Sequence, residues 1–338
     1  MAKYKVAILV QKDLAESIFR EKDLEYMSTI ADFNPVSELP EKITHDFMVE
    51  QLKDADACIT CWHTPSFTEE MLNNAPKLRL IAHAAGAVRN LVPPSFWTMQ
   101  GKHITSNAPV IAEDVAQTTL ALILASLKQL WAFHDMTATG GWKGGESGTF
   151  TTKRLDELHV GIIGASMAGK ETIKILRPFN CQIAVWDPYL TPMEAEMLHV
   201  KQLPLDELIK GADVLTLHAP ANPDCEHILN KDNIPLIKDG ALLVNTARGL
   251  LIDEEALTRE LQTGRFFACL DVTRPEPPAK DHPLRKMKNV VMTPHIAGGH
   301  TVNGRKMLGR NAVKEVCNYL VKGLIAYKVR GEMLDHMA

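Results

Sequence analysis

Apolar residues in this chain fall into short unbroken runs separated by stretches of helical spacing. Residues 5–10 read Lys-Val-Ala-Ile-Leu-Val, the continuous run of a strand covered on both faces of a parallel sheet. Apolar positions over 14–29 predict one helix, 52–55 a helix end, and 58–62 and 78–83 two further strands. Ser66 and Glu69 have the spacing of a capping box, which predicts a short helix to about residue 74. The strand at 78–83 runs into Ala84-Ala85-Gly86-Ala87, small residues that let a ligand approach the backbone closely. Strand and helix thus alternate over the first hundred residues, and an open parallel sheet follows.

A long helix is predicted over 111–133. Its segment 120–127 is apolar almost all round, so it is buried on more than one side, in a core or in a subunit contact. Residues 139–150 are glycine-heavy and predict a loop. A second alternating block runs from 159 to about 294. Its strands are predicted at 160–164, 182–187, 214–218, 241–245, 268–272 and 290–293, enough for a full dinucleotide-binding sheet. Residues 307–320 form an amphipathic helix pattern with no strands around it, which predicts docking on another part of the fold. No solenoid-period repeat or low-complexity tract is present.

The second block opens on its most informative stretch, 159–187. An apolar run enters Gly164-Ala165-Ser166-Met167-Ala168-Gly169, a helical run follows, and a second apolar run ends on Asp187. A turn of this kind lets backbone N–H groups and a helix N-terminus face a pyrophosphate. Asp187 lies 18 residues beyond Gly169, where such units place the acid that binds the adenosine ribose. An acid there repels a ribose 2′-phosphate, and Pro188-Tyr189-Leu190 holds no Arg to reverse this, so NAD is expected rather than NADP. One position departs from G-x-G-x-x-G: the middle glycine is Ser166.

Composition narrows the class. The 338 residues suit two domains, and 46% hydrophobic with 23% charged residues suits a globular enzyme. A net charge of −4 without a basic stripe disfavours nucleic acid and anionic membrane as partners. The start shows no signal-peptide pattern, and the run 120–127 is far short of a bilayer span. Six cysteines make no disulfide framework, so a reducing cytoplasm is expected. Cys58-Ile59-Thr60-Cys61 is a C-x-x-C inside a strand pattern. It lacks the turn into a helix, or the second pair, that redox or zinc sites use, and reads as two buried thiols. No His/Cys/Asp spacing suggests a metal.

Three later strand ends carry polar groups that a core does not need. They are Asn245-Thr246-Ala247-Arg248-Gly249, Asp271-Val272-Thr273-Arg274-Pro275-Glu276-Pro277, and Thr293-Pro294-His295-Ile296-Ala297-Gly298. In an open parallel sheet the carboxyl ends of the strands face the ligand crevice. Arg248 there can hold a carboxylate bidentately and polarise the carbonyl beside it. His295 can exchange a proton with the substrate oxygen, and Glu276 can bond the other imidazole nitrogen and fix its tautomer. Singly, these residues read as a surface ion pair, a loop charge and a structural histidine. Together they can be assembled into a mechanism in which a nicotinamide supplies or accepts the hydride.

These segments resemble the signatures of the NAD-dependent D-isomer-specific 2-hydroxyacid dehydrogenases. So do 205–220 and Val115-Ala116-Gln117-Thr118-Thr119-Leu120-Ala121-Leu122-Ile123-Leu124. The resemblance covers nearly the whole chain and is strongest from about 100 to 300. It implies an α/β fold of two Rossmann-like lobes, parallel sheets flanked by helices, with the cofactor lobe (108–300) inserted into a substrate lobe (1–107 plus 301–338). It implies Arg248, Glu276 and His295 as the catalytic trio. Substrate contacts would come from Ala85, Gly86, Arg248 and His295. Cofactor contacts would come from Gly164, Ser166, Met167, Ala168, Asp187, His218, Ala219, Pro220, Thr246, Ala247, Asp271, His295 and Gly298. It also implies a homodimer through the 111–133 region.

Ser166 and the Val88-Arg89 pair, near an Asp common in the family, are departures from its pattern. Trp62-His63 stand where phosphoglycerate-using members carry an Arg, and no C-terminal regulatory domain is expected, which tilts the expectation against 3-phosphoglycerate. Glu276, in place of the Gln of formate-oxidising relatives, disfavours formate. A small keto acid such as glyoxylate or hydroxypyruvate is expected. The competing reading is an NAD-responsive, corepressor-like binding protein on the same fold; an adenosylhomocysteinase-like enzyme fits the Arg, Glu and His contexts less well.

Overall fold

The computed structural model describes residues 3–142 and 152–336. Of the predicted loop at 139–150, residues 143–150 lie outside the described residues. Five strands open the chain: β1 Tyr4–Leu9, β2 Ala31–Phe33, β3 Ala57–Thr60, β4 Leu80–His83 and β5 His103–Ser106. Seven follow: β6 His159–Ile163, β7 Gln182–Trp186, β8 Lys201–Gln202, β9 Val214–Leu217, β10 Leu242–Asn245, β11 Phe267–Leu270 and β12 Val290–Met292. The short β13, Lys328–Val329, comes last. The chain divides into two units, 1–111 with 299–338 and 112–298. The second is thus inserted in the chain of the first, and the first crossing falls inside the helix Ala108–Leu127 rather than ahead of it.

The first unit holds a sheet of order β13-β5-β4-β3-β1-β2, parallel except where β13 meets β5. Successive residues of β1 face opposite sides. Val6 and Ile8 pack with Ile18, Leu308 and Val316, while Ala7 and Leu9 pack with Met48, Leu72 and Leu78. That two-sided burial is why the sequence of β1 is continuous rather than alternating. The late helix Val302–Lys322 covers one of these faces.

The second unit holds a wholly parallel sheet of order β12-β11-β10-β9-β6-β7-β8. Six of its strands match the predicted ones within a residue or two; β8 is a short addition at the edge. Val160, Ile162 and Val244 line one face, and Ile163, Leu215, Leu217 and Leu243 the other. The chain starts at the middle of this sheet and winds outward in both directions. The strand order therefore reverses beside β6, and in such sheets that point forms the ligand crevice.

Several helices differ from the sequence reading. The helix predicted over 14–29 is two, Lys12–Ile18 and Glu21–Ser28. Phe19 and Arg20 between them are extended; Phe19 turns into the core and Arg20 pairs with Asp23 at 2.6 Å. The capping-box prediction at Ser66 fails. Thr68 caps Glu69–Asn73 by accepting from Met71 N–H, and the Ser66 hydroxyl donates to the Asn90 carbonyl. The helix predicted over 111–133 is also two, Ala108–Leu127 and Leu130–Ala138, broken at Gln129 with φ of +52°. By length and composition the first could cross a membrane; Leu122, Ile123 and Leu127 are instead buried in the core of the second unit. The cysteines are all free. Burial pushes the Cys58 thiol far up and that of Cys61 to about 12.

Candidate active site

The glycine turn follows β6. Gly164 has φ of +97°, and a Cβ there would lie 2.5 Å from Ala219 N, so only glycine fits. A Cβ on Gly169 would lie 2.2 Å from the Gly164 carbonyl oxygen. Ser166 differs. Its φ of −62° and ψ of −178° are open to any residue, and its hydroxyl caps the helix Met167–Leu176 by accepting from Gly169 N–H at 3.4 Å. The serine is tolerated because its backbone is extended and its side chain serves the helix. Met167 is exposed, and Ala168 half-buried, on the same first turn.

Asp187 stands just beyond β7. Its carboxylate accepts from Ala165 N–H at 2.6 Å and from Tyr189 N–H at 2.8 Å, which fixes the acid against the glycine turn. A cradle too tight for a Cβ, a helix N-terminus and a fixed acid suit a dinucleotide's phosphates and ribose. His218 and Ala219, beyond β9, are buried against this turn. The His218 ring bonds Thr216 Oγ1 at 3.1 Å, and burial drives its pKa down to about 3. The ring is neutral; its Nδ1 is buried and meets no partner among the described residues, and its backbone N–H donates to the Ile163 carbonyl at 2.7 Å. Pro220 follows it, half-buried.

Arg248 follows β10, Glu276 follows β11 and His295 follows β12, so the three come from adjacent strand ends. Asn245 braces the first turn, donating to the Arg248 carbonyl at 2.9 Å and accepting from Ala247 N–H at 3.1 Å. Arg248 donates to the Ala247 carbonyl at 2.7 Å; among the described residues its other N–H groups meet no acceptor. Burial holds its guanidinium below the usual pKa, and the charge of Glu276 opposes that shift. A guanidinium so desolvated, with donors to spare, is prepared to take a carboxylate. Gly249 lies against the next loop: a Cβ there would be 2.1 Å from the Thr273 carbonyl oxygen.

Glu276 accepts from Thr273 N–H at 3.1 Å through Oε1 and from His295 Nδ1 at 2.8 Å through Oε2. The carboxylate can only accept, so Nδ1 carries the proton and Nε2 is left for chemistry. His295 has φ of +53°, a left-handed conformation that costs on the order of 1–3 kcal/mol. Asp271 holds it there. Its carbonyl accepts from His295 N–H at 2.8 Å, and its carboxylate accepts from the Thr293 hydroxyl and from Ile296 and Ala297 N–H at 2.5, 2.9 and 2.8 Å. Asp271, expected from the sequence to face a cofactor, is thus 2% exposed and is chiefly the anchor of the His295 loop. The Thr246 hydroxyl bonds Thr119 Oγ1 at 2.7 Å, and Thr119 in turn donates to the Val115 carbonyl. Gly298 ends the loop, half-buried, next to Ala297, whose carbonyl accepts from Thr118 at 3.0 Å. A cavity of about 460 Å³ is lined by Asp271, Glu276, Pro277, Met292, Pro294 and His295, among others.

Ala85 and Gly86 belong to the first unit. The Ala85 carbonyl accepts from Asn107 N–H at 2.9 Å and the Gly86 carbonyl from Ser106 Oγ at 2.5 Å. Their own N–H groups bond no described residue. His83, at the start of this loop, bonds Thr60 Oγ1 at 2.9 Å, and burial lowers its pKa to about 4.

A parallel sheet that reverses beside a glycine turn, with a fixed acid on the next strand, defines the class of dinucleotide-binding proteins. The particular family follows from comparison. The model of the D-isomer specific 2-hydroxyacid dehydrogenase NAD binding domain matches residues 120–297, and the chain belongs to that family. It is 33% identical over 294 residues to a D-3-phosphoglycerate dehydrogenase of Methanocaldococcus jannaschii, covering 86% of this chain and 55% of that one. It therefore spans about half the length of that relative. It is 30% identical over 272 residues to a glyoxylate reductase of Thermofilum pendens, covering 80% and 79%. Among solved structures, the TT0316 protein of Thermus thermophilus superimposes with a TM-score of 0.76 at 27% identity, over 96% of this chain and 99% of that one.

Proposed function

We propose that this chain interconverts a small 2-keto acid and its D-2-hydroxy acid with NAD, and that the keto acid is of the glyoxylate or hydroxypyruvate kind. The observation that carries the reading is the 2.8 Å bond from His295 Nδ1 to Glu276, in the unit that holds Arg248. The free guanidinium donors of Arg248 hold the substrate carboxylate and polarise the neighbouring carbonyl. Nε2 of His295 gives a proton to the carbonyl oxygen in reduction and takes it from the hydroxyl in oxidation. Glu276 keeps the ring oriented and its tautomer fixed, while Asp271 keeps the loop in its left-handed turn. NAD, when bound, supplies or accepts the hydride; Asp187, accepting ribose hydroxyls, favours it over a 2′-phosphorylated cofactor.

The glyoxylate reductase similarity supports a small substrate. So does Trp62, whose indole abuts Gly299 and offers no charge to a phosphate. The test is to follow NADH absorbance with glyoxylate, hydroxypyruvate, pyruvate, bulkier 2-keto acids and phosphohydroxypyruvate. The highest kcat/KM should fall on glyoxylate or hydroxypyruvate. Bound NADH with no turnover on any of them refutes the enzyme reading, and a preference for the phosphorylated acid refutes the size assignment. On the same reading a second copy of the chain covers the 111–133 region, where Leu130 is 56% and Trp131 39% exposed.

A further inference from the structure

A carboxylate outside the trio grips the loop that presents Glu276. Glu254 is the first residue of the helix Glu254–Gln262 and lies six positions after Arg248. Its Oε2 accepts from the backbone N–H of Arg274 at 3.0 Å, and its Oε1 accepts from His282 Nε2 at 3.1 Å. Both side chains are largely buried, 16% exposed for Glu254 and 20% for His282. His282 is held in turn, its Nδ1 accepting from Leu284 N–H at 3.4 Å. That acceptor role puts the ring proton on Nε2, where it points at Glu254. The Arg274 side chain leaves this cluster for Glu226, at 2.5 Å.

The gripped peptide is well placed to matter. Arg274 N–H belongs to the Thr273–Arg274 peptide, whose carbonyl abuts Gly249, the residue after Arg248. The N–H of the preceding peptide, that of Thr273, donates to Glu276. Fixing one peptide plane therefore fixes the donor that aims the Glu276 carboxylate at His295. A largely buried carboxylate on a backbone N–H makes a charge-assisted bond, stronger than a neutral one.

We propose that Glu254 is a positioning residue for the Glu276–His295 pair, joining the loop of Glu276 to the segment of Arg248. The claim about aim stands on geometry alone; its effect on turnover rests on the function proposed above. Two readouts keep the failures apart. In proton NMR the Nδ1–H of His295, bonded to a carboxylate, should give a far-downfield resonance that His295→Gln and Glu276→Gln remove. Glu254→Ala should broaden or remove it, and Glu254→Gln, which keeps an oxygen for Arg274 N–H, should retain it. An unchanged resonance in folded Glu254→Ala protein overturns the proposal whether or not the chain is an enzyme. Should Glu254→Ala fail to fold, His282→Ala, which frees one side of the Glu254 carboxylate, should broaden the same signal; an unchanged signal there overturns the proposal equally.

In turnover, Glu254→Ala should lower kcat about tenfold or more, with the NADH dissociation constant unchanged, as a small misplacement of a reacting group does. Added to Glu276→Gln it should cost nothing further, because both act through one group. Multiplicative losses, or a lower melting temperature with full kcat, would show a merely structural role and overturn the proposal.

Discussion

Gly249→Ala adds one methyl group where two functional segments touch. The new Cβ would stand 2.1 Å from the Thr273 carbonyl oxygen, 2.3 Å from its carbon and 2.9 Å from Arg274 N. Unstrained contact needs roughly 3.5 Å, so the two segments must part by about 1.4 Å. All three atoms are backbone, and no rotamer change relieves the clash. One segment carries Arg248 and the other carries Glu276, so the displacement falls on the spacing between Arg248 and the Glu276–His295 pair. A shift of about 1 Å at reacting groups lowers rates by on the order of 100-fold. Overpacking of this kind destabilises by about 1–3 kcal/mol. The assay is kcat/KM for glyoxylate with NADH, beside NADH affinity by fluorescence and a melting curve. We expect kcat/KM to fall about 100-fold while NADH affinity holds, because the glycine turn is untouched. Gly211→Ala is the control: a Cβ there meets nothing within 4 Å, and activity should be normal. Wild-type kcat/KM in folded Gly249→Ala protein would refute the claim that contact between these segments sets the site.

Three other outcomes are expected. Ser166→Gly should leave NADH affinity unchanged or improved and cost only a few tenths of a kcal/mol of stability, the worth of the lost cap; a large loss of affinity, by titration, would mean the hydroxyl holds the pyrophosphate. His83 is neutral when folded, with a pKa of about 4, whereas the unfolded chain takes up its proton near pH 6.5. Stability should therefore fall as pH drops through that window, by about 3 kcal/mol for this residue; urea unfolding of His83→Asn should show a shallower pH dependence, and parallel curves would contradict this. Trp131→Lys should shift the protein towards monomer in sedimentation, and an unchanged species would remove Trp131 from the subunit contact.

The parallel strands were legible because each is buried on both faces, which leaves unbroken apolar runs such as those of β1 and β6. Helix ends were less legible. Nothing local marks the break at Phe19–Arg20, which arises because Phe19 turns into the core and Arg20 finds Asp23. Thr68 won the cap over Ser66 because tertiary contact ties Ser66 to Asn90. The site followed the same division. Arg248, Glu276 and His295 are legible as polar groups at strand ends, and the structure brings Glu276 and His295 to 2.8 Å. Glu254 and Asp271 do not announce their roles, since one reads as a helix-start acid and the other as a strand-end ligand group. Their partners are backbone N–H groups about 20 and 25 residues away, and backbone donors carry no side-chain signal. Ser166 looked like a defect in a glycine motif and is a helix cap.

The central claim is that His295 moves the proton on the substrate oxygen. It is tested most directly by His295→Gln, with turnover of the best keto acid and NADH affinity measured on the same preparation. Turnover should fall by on the order of 100- to 10,000-fold, the usual worth of a general acid–base group, with the NADH dissociation constant unchanged. Activity near that of the wild type would contradict the account.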